Sequence, residues 1–150
     1  MNEYLNEARQ ELKRVDHLVY VSLKYTRTVD VLKSVIDRMI SSFDFVLLAL
    51  LNRLKEKKKI TEFPQSSALK VKLIEKHFSN DELNAYLNFY LTLRMISRAE
   101  YTKREEYRRH VTMTASLSNG ETIEVNIDIA KEYYDKTRQF VDFVAQLLEK

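Results

Sequence analysis

The chain has 150 residues, with 25 Lys or Arg against 22 Asp or Glu for a formal charge of +3, no cysteine, one glycine and one proline. That length suits a single domain, residues 1–150, with a core of its own, and the missing cysteines exclude disulfides and thiolate metal sites. His17, His77 and His110 lie far apart in sequence, so a zinc site lacks its ligands, no metal or cofactor is expected, and a reducing, cytoplasmic setting fits.

The first residues, MNEYLNEARQELKR, alternate acid and base at helical spacing, unlike a signal peptide. The most apolar run, Phe43 to Leu51, contains Asp44 and is far shorter than the roughly 20 residues a membrane span needs, so no membrane partner is expected.

Leu5, Ala8, Leu12, Val15, Val19 and Ser22 recur at steps of three and four, which predicts an amphipathic helix from about Asn2 to Thr28. Asp30 is expected to cap a second helix whose stripe runs from Leu32 through Phe43 to Leu54. This is the predicted central, most buried helix. It runs into Lys55-Glu-Lys-Lys-Lys59, where cations suit a helix C-terminus, and Pro64 marks the loop beyond. Ser66 or Ser67 starts a short helix to about Phe78. Ser79-Asn-Asp-Glu82 reads as a capping box for another, with Leu83, Tyr86, Leu87, Tyr90 and Leu91 inward, predicted to continue through Arg94 and Arg98 toward Tyr107.

The period then changes to alternation. Val111, Met113, Ala115 and Leu117 face one way, as do Ile123, Val125 and Ile127 after Ser118-Asn-Gly120. A two-residue turn at Asn119-Gly120 would set Ala115 against Glu124. A three-residue loop, Ser118 to Gly120 with Gly120 left-handed, pairs Ala115 with Ile123, Met113 with Val125 and Val111 with Ile127, and is the register expected. Asp128 is expected to cap a last helix with the stripe Ala130, Tyr133, Thr137, Phe140, Val144 and Leu147. The fold class predicted is a mainly α, antiparallel up-and-down bundle of four to five helices with one β-hairpin near residues 111–127.

No glycine-rich phosphate loop, nucleophile elbow or HExxH motif is present. Asp16, Asp37 and Asp44 are isolated helical acids and receive no role; His17 and His77 are read as structural. The segment from Leu91 to Val111 stands out, because Arg94, Arg98, Lys103, Arg104, Arg108 and Arg109, with His110, face only Glu100, Glu105 and Glu106. Arginine forks bind phosphate in pairs, and a nearby imidazole can move a proton near neutral pH. The same segment also reads as a solvated helix face laced by Glu–Arg pairs, each worth a few tenths of a kcal/mol. A small-molecule site among Tyr86, Tyr90, Tyr133 and Tyr134 is the remaining alternative, against a plain core role.

The order of helices, the long apolar second helix, the stretch LRMISRAEY and the closing AKEYYDKTRQFVDFV together resemble the HEPN family, the higher eukaryotes and prokaryotes nucleotide-binding domains. Its ribonuclease members carry an arginine followed four to six residues later by histidine, and Arg104-E-E-Y-R-R-His110 has that spacing. The resemblance implies that Arg104 holds a scissile phosphate and His110 transfers a proton during attack by the RNA 2′-hydroxyl, without metal, in a homodimeric site. Arg94, Arg98, Lys103, Arg108 and Arg109 would add phosphate contacts, and toxin–antitoxin members add an antitoxin partner. Because residues six apart on a helix sit about 120° out of line, the helix must end or bend before His110. A second alignment, Arg98-Ala-Glu-Tyr101 or Arg94 to Tyr101, is similar to members with tyrosine in place of histidine, which implies a non-catalytic interaction or scaffold module.

Overall fold

The computed structural model describes residues 2–149. Five helical rods and a three-stranded sheet make up the chain, as the mainly α reading expects. Helix α1 (Glu3–His17) starts where Asn2 Oδ1 accepts the Leu5 N–H, and it is extended by a π-helical stretch, Leu18–Ser22, and a last turn, Leu23–Tyr25. Its stripe buries Leu5, Ala8, Leu12, Val15 and Val19, and then Leu23 in place of the expected Ser22. The rod stops at Tyr25 rather than Thr28, because Thr28 is spent on the next helix: its hydroxyl accepts the Val31 N–H, the role foreseen for Asp30.

Helix α2 (Val29–Glu56) is the centre of the core. The Phe43 ring stacks on Phe140 at 4.5 Å and on Tyr90 at 5.5 Å, joining three helices at one point. The Ser42 hydroxyl, fully buried, donates to the Ala8 carbonyl at 3.0 Å, so two small residues bring α1 and α2 close.

Helix α3 (Ser67–Phe78) is capped by Ser66, one of the two serines expected to start it. The expected capping box at Ser79 does not form. Ser79 adopts a left-handed conformation (φ 46°) that ends α3, and Asn80 accepts the Leu83 N–H to begin α4 (Asp81–Arg98). With no spacer between the two helices, Ser79 terminates one and its neighbour starts the other.

The largest correction follows. Helix α4 does not continue to Tyr107; Ala99 is extended and β1 (Glu100–Arg104) follows, pairing with β2 (Thr112–Ser116), which pairs with β3 (Thr122–Val125). The predicted hairpin therefore supplies two of the three strands of an antiparallel meander in the order β1-β2-β3. Tyr101 lies opposite Ala115 and Lys103 opposite Met113 on the inner face; Glu100, Thr102 and Arg104 turn outward. A hairpin edge supplies backbone partners to this segment over five residues, and Tyr101 packs on the core. These contacts outweigh the weak ion pairs a solvated helix would have made.

The β2–β3 register is the one expected, with Met113 opposite Val125 and Ala115 opposite Ile123. The Leu117 N–H donates to the Glu121 carbonyl and Gly120 stands at φ 90°, which leaves Ser118 to Gly120 as the loop. The foreseen Val111–Ile127 pair is absent because Ile127 opens α5 (Ile127–Glu149). Asn126, not Asp128, caps it by accepting the Ile129 N–H at 2.8 Å. Tyr134 and Leu148 take the buried places expected of Tyr133 and Leu147. Among the described residues no helix is long and apolar enough to cross a membrane.

Candidate nucleic-acid interface

Strand β1 divides the basic segment into two groups. Arg94 and Arg98 belong to the end of α4, where the strand begins, while Arg104 and the loop to His110 belong to the end where it leaves. Five extended residues separate these ends by about 13–16 Å, at about 3.3 Å per residue.

At the first end, Arg94 and Arg98 line a groove of about 870 Å³ together with Ser66 and Ser67 at the start of α3 and with Glu100, Ser116 and Ser118. Arg94 is half-buried, its guanidinium 5.8 Å from the Tyr90 ring centre; Arg98 is exposed. Among the described residues neither arginine joins an ion pair. Beneath them the Tyr90 hydroxyl donates to Asp44 at 2.5 Å and lies 3.2 Å from the Ser67 hydroxyl. Burial, then the hydrogen bond to the Asp44 carboxylate, pushes the Tyr90 phenol up to about 12. The sequence offered no signal for Ser66, Ser67 or Ser118 at this groove, since they arrive from segments remote from α4.

At the second end, Arg104 and His110 are near neighbours along the backbone. Arg104 pairs in register with Thr112, two residues after His110. The helix thus ends before His110, as the Arg–His spacing requires. Arg104 is exposed and its Nη1 lies 3.5 Å from Glu124 Oε1, a long contact on the outer face of the sheet. His110, Arg108 and Arg109 are exposed; the His110 carbonyl accepts the Thr112 hydroxyl at 2.8 Å.

Lys103 is engaged otherwise. Its ammonium lies 3.5 Å from Asp30 and 3.7 Å from Glu106, and Asp30 in particular raises its pKa. Glu106, which sequence reasoning treated only as a counter-charge, accepts the Val29 N–H at the start of α2, and the Tyr107 N–H donates to the Arg27 carbonyl at 2.6 Å. The loop after β1 is therefore clamped onto the α1–α2 junction. Left-handed backbone at Glu105 (φ 59°) and Tyr107 (φ 67°) lets it turn there, at a conformational cost that the clamp must offset.

The remaining candidates are structural. Asp37 accepts from Ser97, Asp44 from Tyr90 and Asp16 from Tyr134. Tyr86 packs on Phe140 and Phe143, and Tyr133 on Phe89, so these tyrosines pack within the bundle. Among the described residues no three His, Cys, Asp or Glu are grouped to hold a metal ion.

The architecture is thus a five-helix bundle carrying a small antiparallel meander with basic residues at both ends of its first strand. Comparison with protein-family models, with curated proteins and with solved structures finds no match to this chain.

Proposed function

We propose that the chain binds RNA or a nucleotide through phosphate contacts at the arginine groove, in the manner its HEPN-like sequence features imply, as a cytoplasmic homodimer. The observation that carries this is the pair Arg94 and Arg98, neither in an ion pair among the described residues, on a groove that the start of α3 also lines. Guanidinium forks and the free N–H groups of a helix start favour the same ligand, a phosphate. The basic residues of the second end, Arg104, Arg108, Arg109 and His110, extend the surface for a longer polyanion.

RNA cleavage is the catalytic form of the same proposal. Arg104 holds the scissile phosphate and His110 transfers the proton as the 2′-hydroxyl attacks, a contribution of about 10² to 10⁴-fold for positioned proton transfer. Both residues leave the sheet at one end with exposed side chains, which supports the pairing. The test is fluorescence anisotropy with single-stranded RNA across a salt series, and electrophoresis of the same RNA for cleavage. Affinity should fall steeply with salt and be lost in Arg94→Ala/Arg98→Ala, while His110→Ala should bind and not cleave. Binding indifferent to salt ends the phosphate reading; cleavage that survives His110→Ala ends the nuclease one.

A non-catalytic interaction module, with an antitoxin-like or other protein partner, is favoured by a different observation. Lys103, Glu106 and the Tyr107 amide are all committed to holding the loop on the bundle. Under that reading a protein partner survives Arg104→Ala and Arg108→Ala in a pull-down.

A further inference from the structure

Two tyrosine rings stand out of the surface further than any other large apolar side chain among the described residues: Tyr107 at 78% and Tyr25 at 77% exposure. Nothing local accounts for the first. The Tyr107 ring has no aromatic neighbour, no cation over its face and no hydrogen bond to its hydroxyl among the described residues, and its backbone is left-handed. Tyr25 has only its neighbour Lys24, 5.7 Å from the ring centre.

These residues are 82 positions apart, yet backbone hydrogen bonding brings their segments to one corner of the fold. The Tyr107 N–H donates to the Arg27 carbonyl, two residues from Tyr25, and the Val29 N–H, two residues further on, donates to the Glu106 carboxylate. The cations of these segments are Lys24, Arg27, Lys103, Arg108 and Arg109, beside His110; the acids are Asp30, Glu105 and Glu106, and Asp30 and Glu106 share the Lys103 ammonium. Just upstream, the π-helical stretch buries Val19 and leaves Tyr20 and Val21 exposed, so the apolar surface continues along the rod.

We infer that Tyr25 and Tyr107 form a stacking platform for unpaired bases, and that the ligand of the basic surface is single-stranded RNA. An exposed ring amid arginines suits a nucleobase, because every base presents a π-face while the neighbouring guanidinium groups meet the phosphates between bases. A duplex hides its base faces and could use only the cations. The clamp explains itself in the same terms: it spends hydrogen bonds on holding Tyr107 outward in a conformation tyrosine disfavours. This inference rests on the phosphate-binding reading of the arginine groove, and it adds the class of nucleic acid and the place of the bases.

The experiment uses three probes on the full chain: single-stranded oligoadenylate, a duplex RNA of equal length, and inorganic polyphosphate of matched charge. Oligoadenylate is expected to bind tightest and to quench tyrosine fluorescence. Tyr107→Ala and Tyr25→Ala should each weaken oligoadenylate by about tenfold or more and leave polyphosphate unchanged, while Tyr107→Phe, which keeps the ring, stays near wild type. Arg94→Ala/Arg98→Ala should weaken both probes. If both tyrosine variants bind oligoadenylate as the wild type does while the arginine variant does not, the platform is wrong and the phosphate reading stands. If the wild type binds none of the three probes, both the platform and the phosphate reading are wrong. Equal affinity for duplex and single strand also overturns the platform. Because both rings are solvent-exposed, the alanine variants should keep the wild-type melting temperature, and a fall in it at Tyr107 is controlled by the Phe variant and by Tyr25→Ala.

Discussion

Glu106 and Val29, 77 positions apart, are joined by a hydrogen bond in which the Val29 N–H donates to the Glu106 carboxylate at 2.9 Å. The acid sits where the first turn of α2 has free amides and the positive end of the helix dipole, so a residue from the β1–β2 loop does part of the work of a local cap. Glu106→Ala should therefore lower stability by about 1 kcal/mol, the usual worth of a capping side chain, with Glu106→Gln losing less. Thermal melts measure the first effect. Hydrogen exchange at the Val29 and Tyr107 amides should rise in the alanine variant, and unchanged protection would show that the loop is held by other means.

Phe43 is where three helices share one aromatic stack, and its side chain is fully buried. Phe43→Ala should cost about 3–5 kcal/mol, the range for large core truncations, read as a shift in the denaturant midpoint. A loss below about 1 kcal/mol would mean that Phe140 and Tyr90 close the gap.

Alkaline pH offers a separate test. The phenols of Tyr90 and Tyr134 are both raised from 10.0 to about 12, by burial first and then by hydrogen bonds to Asp44 and Asp16. A raised folded-state pKa favours the protonated form, so the stability tied to it is fully present below pH 10 and is lost as pH climbs toward 12. Urea midpoints should hold up to about pH 10 and then decline, more shallowly in Tyr90→Phe and Tyr134→Phe.

Arg104 and Glu124 approach only to 3.5 Å and both are exposed, so Arg104→Ala should leave the melting temperature unchanged, as is usual for surface pairs. The same holds for His110→Ala, because the buried Thr112 hydroxyl donates to the His110 carbonyl and not to the imidazole. Any loss of RNA cleavage in these variants would then report on chemistry; a large drop in melting temperature would instead mark the pair as structural.

Much of this protein was legible from local pattern. The stripes of α1, α2 and α5, the Ser66 cap and the glycine-bearing loop that sets Ala115 against Ile123 all depend on residues within a turn or two of one another. Periodicity and turn chemistry act at that range, and a single sequence displays them. Even the near misses at Tyr133 and Leu147 shift by one place within a correctly placed helix.

Other features were decided only by the folded chain. Glu100–Arg104 carries helix-compatible residues, yet it is a strand, paired over five residues with the edge of β2 and with Tyr101 packed on the core. That one change split the basic segment between two ends of β1 and brought Glu106 and Tyr107 onto the α1–α2 junction. Backbone edges, orphan helix amides and groove walls come from segments distant in sequence, and their hydrogen bonds outweigh the few tenths of a kcal/mol by which local propensity favoured a longer helix.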